Sequence, residues 1–141
     1  MNRKIKILLV AVAVIILIAV AYLFREYNRT PTNVADITAA ETISAPDLIA
    51  AFENNETLAN EKFTGKIIEV TGVISSIHNE ADTVVSVRME TGDPLHKINC
   101  ALAKNEMAEI KNYATGQSIA IKGYCTGYLL DVELNRCVIK K

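Results

Sequence analysis

The sequence predicts a mainly β (α+β) domain: a five-stranded barrel with a helix between its third and fourth strands and an N-terminal helix, preceded by one transmembrane helix. Three observations predict it. Residues 7–24 form an uncharged run of eighteen in a 141-residue chain. Beyond residue 65, apolar side chains recur at every second position in five runs, the period of a strand with one buried face. One stretch between the third and fourth runs, 104–113, changes to helical spacing.

The first run would be roughly 27 Å long as a helix, close to a hydrocarbon core of about 30 Å. Arg3, Lys4 and Lys6 precede it, and Arg25, Glu26 and Arg29 follow. The positive-inside rule then leaves 1–6 in the cytoplasm, 7–24 as the anchor and the remainder outside. This makes the protein a single-pass signal-anchor with an extracytoplasmic C-terminal domain. Ala19, Val20 and Ala21 also fit a small-x-small cleavage pattern, so removal of the segment as a signal peptide is the rival reading. Either reading exports the rest. Residues 25–43, rich in Thr, Asn and Ala and without periodicity, are expected to be a flexible tether.

The folded domain is expected at 44–141. Ser44 can cap a helix, with Pro46 tolerated in the first turn and Asp47 three residues after the cap. Leu48, Ile49 and Phe52 make its apolar stripe, and a second turn is expected over 56–62. In the first strand Ile68 and Val70 alternate with Glu69 and Thr71. Alternation then resumes out of phase at Val73, Ser75 and Ile77, so a β-bulge is expected at Gly72. Residues 78–82 read as a turn. Val85, Val87 and Met89 mark the second strand, and Ile98, Cys100 and Leu102 the third. Ala103, Met107, Ile110 and Ala114 share a helical face, which Gly116 ends. Ile119, Ile121, Gly123 and Cys125 mark the fourth strand; Val132, Leu134 and Ile139 mark the fifth.

Three strands, a helix and two strands is the element order of the OB-fold, a partly open Greek-key barrel. Residues 44–141 resemble the tRNA_anti-like OB-fold domains of small membrane-anchored bacterial envelope proteins of Bacteroidetes type. The resemblance is carried by GKIIEVTG at 65–72 and by GQSIAIKGYCTGYLLDVELNRCVI at 116–139. It implies the barrel and, together with the anchor, a place in a bacterial inner membrane with the C-terminal domain in the periplasm. The family name records a fold relationship to the anticodon-binding domains of tRNA synthetases, and a shared fold does not fix a ligand.

From Ser44 onward there are ten Lys/Arg and thirteen Asp/Glu, a body charge of about -3. A nucleic-acid binder usually carries a basic face. Strands two and three also lack any aromatic on which bases could stack. Nucleic acid is therefore an unlikely partner. His78 and His96 are the only histidines, both read as solvated loop residues. No Cys-x-x-Cys or His-x-x-x-His spacing occurs, so no metal site is expected. Phosphate-cradling loops and nucleophile–base pairs are absent as well, so no cofactor and no enzyme activity are expected.

Two groups of residues remain as candidates. The surface that OB barrels use for ligands would be formed by Arg88, Lys97 and Asn99 on strands two and three. Tyr128 and Asp131 would border it on the loop between strands four and five, together with the loop at 79–82. The plainer reading of Tyr128 is cover for the barrel mouth, and of Asp131 a turn acceptor. The second group is Cys100, Cys125 and Cys137. In an oxidising compartment Cys125 and Cys137, on sequential strands, are the favoured disulfide. Cys100–Cys137 is the alternative, and three buried thiols are the unbridged reading. The function expected is a non-catalytic binding or interaction module taking a protein or an envelope glycan. Single-stranded nucleic-acid binding is one alternative. A subunit of a membrane complex, its Ala11, Ala13, Ala19 and Ala21 allowing close helix approach, is another.

Overall fold

The computed structural model describes residues 3–27, 33–80 and 84–141. It divides into two units, Met1–Thr32 and Asn33–Lys141. The first contains one helix, α1 (Arg3–Tyr27, 25 residues), about 37 Å long at a helical rise. Its side chains are described at Ile5 and at 11–24, and those are exposed. No helix among the described residues is long and apolar enough to cross a membrane. The run expected to span, 7–24, lies partly outside the described side chains.

The second unit is built on six strands: β1 (Glu41–Ser44), β2 (Ile67–Glu80), β3 (Val84–Met89), β4 (Ile98–Leu102), β5 (Ser118–Tyr128) and β6 (Val132–Ile139). Their order is β1-β2-β3-β4-β6-β5, and β5 returns to pair with β2. Strands β2 to β6 therefore close a five-stranded barrel, which leaves them no free edge. Closure depends on the length of β2. Its first half, from Ile67 to Val73, pairs with β5, and its second half, from Ile74, pairs with β3. The inward positions of all five strands meet in one cluster, with Ile68, Val70, Val87, Ile98, Ile121 and Leu134 fully buried. Each such side chain contributes about 1.5–3 kcal/mol by leaving water.

The predicted bulge is present but displaced. The inward phase runs through Gly72 to Ile74, which is buried, while Val73 is exposed. The register shift falls between Ile74 and Ser76. Gly72 is small because the interior is crowded there: a Cβ would stand 2.9 Å from Ala45 Cβ and 3.3 Å from Met89 Sδ. The glycine marks a close approach of a helix, not the slip. Residues 78–80 of the expected turn belong to β2, which continues to Glu80; residues 81–83 lie outside the described residues.

Two helices follow the capping pattern. α2 (Ala45–Asn54) has Ser44 as its cap, whose Oγ accepts from Asp47 N–H and donates to the Asp47 carboxylate. α3 (Glu56–Phe63) begins after Asn55, whose side chain accepts from Leu58 N–H. Phe52 of α2 and Phe63 of α3 lie 6.0 Å apart and are buried.

Two expectations are corrected. Residues 33–43, read as tether, belong to the folded unit. A 3₁₀ turn at Val34–Asp36 buries Val34, and β1 adds in parallel to the first half of β2. Polar anchors hold a segment that has no periodicity of its own: Lys122 Nζ donates to the carbonyls of Ala35 and Ile37, and Ala40 N–H donates to Ile67 O. The stretch 104–113, read as an α-helix, forms two 3₁₀ turns, Lys104–Glu106 and Ile110–Asn112. Its bonds are i to i+3, as from Glu106 N–H to Ala103 O and from Tyr113 N–H to Ile110 O. Unlike α2 and α3, it has no side-chain cap on either turn. The Glu106 carboxylate accepting from Ile139 N–H pulls its first turn onto β6. Ile110 still reaches the core, as its spacing implied.

Candidate ligand face on strands β3, β4 and β6

The outward residues of β3, β4 and β6 make one continuous surface. Arg88 sits beside Asn99 in the β3–β4 register, and Asn99 sits beside Glu133 in the parallel β4–β6 register. Asp131, in the turn before β6, joins them: one carboxylate oxygen accepts from Lys97 N–H at 2.8 Å, and the other lies 4.0 Å from Arg88 Nη2. Val132 N–H returns a bond to Lys97 O, so the turn is tied to the start of β4. Of the five residues singled out from the sequence, Arg88, Lys97, Asn99 and Asp131 are thus gathered on one face.

The charges of this face are satisfied internally. Lys97 Nζ pairs with Glu90, and that hydrogen bond holds the Glu90 carboxyl below the usual carboxylate range. Asn99 Nδ2 donates to both carboxylate oxygens of Glu133, at 3.0 and 3.3 Å. Arg88 faces Asp131. Two cations therefore meet three carboxylates. The side-chain carbonyl of Asn99 is buried and has no partner among the described residues. A buried polar atom without a partner is costly to the fold. Glu90 and Glu133 were missed in the sequence reading, because nothing in their local spacing signals a partner on another strand.

Tyr128 is placed differently. Its ring stacks on Phe52 with centroids 5.3 Å apart and planes at 25°, and it packs against the core, which fits the cover reading. A cleft of about 300 Å³ opens beside it, lined by Asn60, Thr126, Leu129 and Glu133 among others. Leu129 and Leu130, at the tip of the β5–β6 turn, are exposed. Of the loop at 79–82, Asn79 lies on β2, exposed, and lines a separate groove with Val85 and Met107. Each histidine meets half of the expectation of a solvated loop residue: His78 is solvated but on a strand, and His96 is in a loop but half-buried. His78 is exposed on β2, bonded to Ser76 Oγ at 3.0 Å, and the ring of His96 lies 6.0 Å from that of Tyr128.

The three cysteines are free and buried. The favoured Cys125–Cys137 bridge is not formed: Cys125 lies opposite Leu134 in the β5–β6 register, and Arg136, with a φ of 53°, intervenes before Cys137. Cys137 instead packs beside Cys100 and under Gly123, where a Cβ would come within 2.6 Å of its sulfur. Burial, and then the neighbouring Cys100, push the Cys137 thiol well above its ordinary range, so neither a nucleophile nor a metal thiolate is prepared there.

A lipoprotein from Klebsiella pneumoniae subsp. pneumoniae, described as a candidate nucleic acid-binding protein, shares the fold. It superposes with a TM-score of 0.55 at 18% identity, over 79% of this chain and 100% of its own. Asparaginyl-tRNA synthetase from Entamoeba histolytica gives a TM-score of 0.43 at 17% identity over 55% of this chain. This chain spans about one fifth of that enzyme, the match covering 21% of it. No match was found among curated proteins. Residues 1–139 match the tRNA_anti-like family, and the chain belongs to that family.

Proposed function

We propose that this protein is a non-catalytic OB-fold binding module, held at a bacterial inner membrane by its N-terminal helix with the barrel on the extracytoplasmic side, and that its ligand is a protein or an envelope glycan. The observation that carries the choice of ligand is the self-neutralised face. Arg88 and Lys97 each face a carboxylate, and β3 and β4 carry no aromatic residue. Phosphate binding needs cations free to replace condensed counterions. Single-strand binding adds stacking platforms. A face of paired, mutually neutralised polar groups suits a neutral ligand rich in hydroxyl or amide groups better.

The anchor is supported by the uncharged run at 7–24 with basic residues before it, and by the exposure of Val12, Ile15, Leu17 and Phe24 on α1. The family match begins at residue 1, so it includes this segment. Protease added to the outer face of spheroplasts should remove the barrel; cleavage only from the cytoplasmic side overturns the orientation.

Single-stranded nucleic acid is the second reading, favoured by the description of the Klebsiella relative. Fluorescence anisotropy of full-length protein with mixed-sequence oligonucleotides at low salt separates the two. The proposal expects no saturable binding. Saturable binding that weakens steeply with salt and is lost in Arg88→Ala would replace it with the nucleic-acid reading.

A further inference from the structure

We propose that Glu53, Asp93 and His96 form a binding site for a divalent first-row metal ion of the zinc class. Glu53 lies in the last turn of α2, and Asp93 and His96 lie in the loop between β3 and β4. Their nearest ligand atoms all fall within 4.8 Å of one another. His96 Nδ1 is 3.1 Å from a Glu53 carboxylate oxygen and 3.5 Å from Asp93 Oδ2. Metal–ligand bonds of about 2.0–2.1 Å arranged tetrahedrally put neighbouring ligand atoms about 3.3–3.4 Å apart. The two observed edges bracket that spacing.

The orientation agrees with the spacing. His96 Nδ1 has almost no accessible surface and no hydrogen-bond partner, although two carboxylates are at contact distance. Three donor atoms that are close but not aimed at each other are arranged as atoms that share a central ion. Asp93 is held for this purpose from behind. Its Oδ1 accepts from Leu95 N–H at 2.6 Å and His96 N–H at 3.1 Å, which turns Oδ2 toward the imidazole. Such outer bonds orient ligands in known metal sites.

The local charge also favours a cation. Among the described residues no lysine or arginine pairs with Glu53 or Asp93. One nitrogen with two carboxylate oxygens suits zinc and its neighbours better than calcium or magnesium, which prefer all-oxygen shells. Three protein ligands leave a fourth position for water. The ion would tie α2 to the β3–β4 loop, whatever the β3–β4–β6 face binds.

The test is zinc titration of full-length protein in detergent by calorimetry in a non-chelating buffer, with calcium and magnesium as controls. One zinc per chain is expected, with affinity falling about tenfold or more in His96→Ala and in Glu53→Gln. Because Glu53 is exposed, Glu53→Gln keeps the fold, which its melting curve without metal would verify. Cobalt should bind with the same stoichiometry and without a thiolate charge-transfer band. Absence of saturable uptake overturns the proposal. Uptake unchanged in both variants, or a thiolate band, also overturns it by placing the metal elsewhere.

Discussion

The interior of the barrel and its β3–β4–β6 face are built from the same strands under opposite rules. Inside, every second residue is apolar and contributes by being dry, so neighbours along the chain carry the pattern. Outside, the arrangement rests on pairs whose members are far apart in sequence. Lys97 with Asp131 and Asn99 with Glu133 are each separated by 34 positions. The interior should therefore be sensitive to changes of volume, and the face more to loss of the residue that anchors its turn than to loss of one ion pair.

The largest expected effect lies inside. Leu134→Ala removes a fully buried side chain and should cost about 2–5 kcal/mol in urea unfolding. A cost below about 1 kcal/mol would mean that the barrel end near β6 is loosely packed. Gly123→Ala should cost about 1–3 kcal/mol by overpacking, because the new Cβ meets Cys137 Sγ at 2.6 Å and Leu134 Cβ at 3.2 Å. Pairing it with Cys137→Ala should recover much of that loss, which a double-mutant cycle would measure.

On the face, Asp131→Ala should cost about 1–3 kcal/mol, since it leaves the part-buried Lys97 N–H without its acceptor. Alkaline pH sharpens the comparison next. The folded state holds the Cys125 and Cys137 thiols above their ordinary value of 9.0, so it binds more protons there than the unfolded chain. The contribution of these two thiols to stability should therefore be level below pH 9 and decline as pH rises beyond it. Cys137→Ala should flatten that decline in denaturation curves taken across the range. The smallest effect is expected from Arg88→Ala, below about 1 kcal/mol, because the guanidinium is 47% exposed and its 4.0 Å pair with Asp131 is screened by water. If Arg88→Ala proved as costly as Asp131→Ala, the ion pair rather than the turn bond would hold the face together.

The residues show where local reading succeeds. Ser44 caps α2 because a cap needs only a hydroxyl and the next three backbone amides. Val85, Val87 and Met89 are buried because alternation is a property of one strand. Gly72 misled because a glycine in a strand can mean a bulge or a close neighbour, and the neighbour here, Ala45, comes from another element. Residues 104–113 misled because helical spacing is shared by 3₁₀ turns that deliver Ile110 to the same core. The cysteines could not be paired in advance, since the β5–β6 register sets Cys125 against Leu134 and leaves Cys137 beside Cys100.

By itself the sequence determined the five apolar runs, the two capped helices and the uncharged leading segment, since periodicity and capping are written within a few residues. Tertiary structure alone decided that residues 33–43 join the sheet through Lys122 and β2. It also decided that Glu90, Asp131 and Glu133 neutralise a face and that Glu53 meets Asp93 and His96. Barrel closure brings distant strands into register, and a register is a relation between segments that neither segment encodes alone.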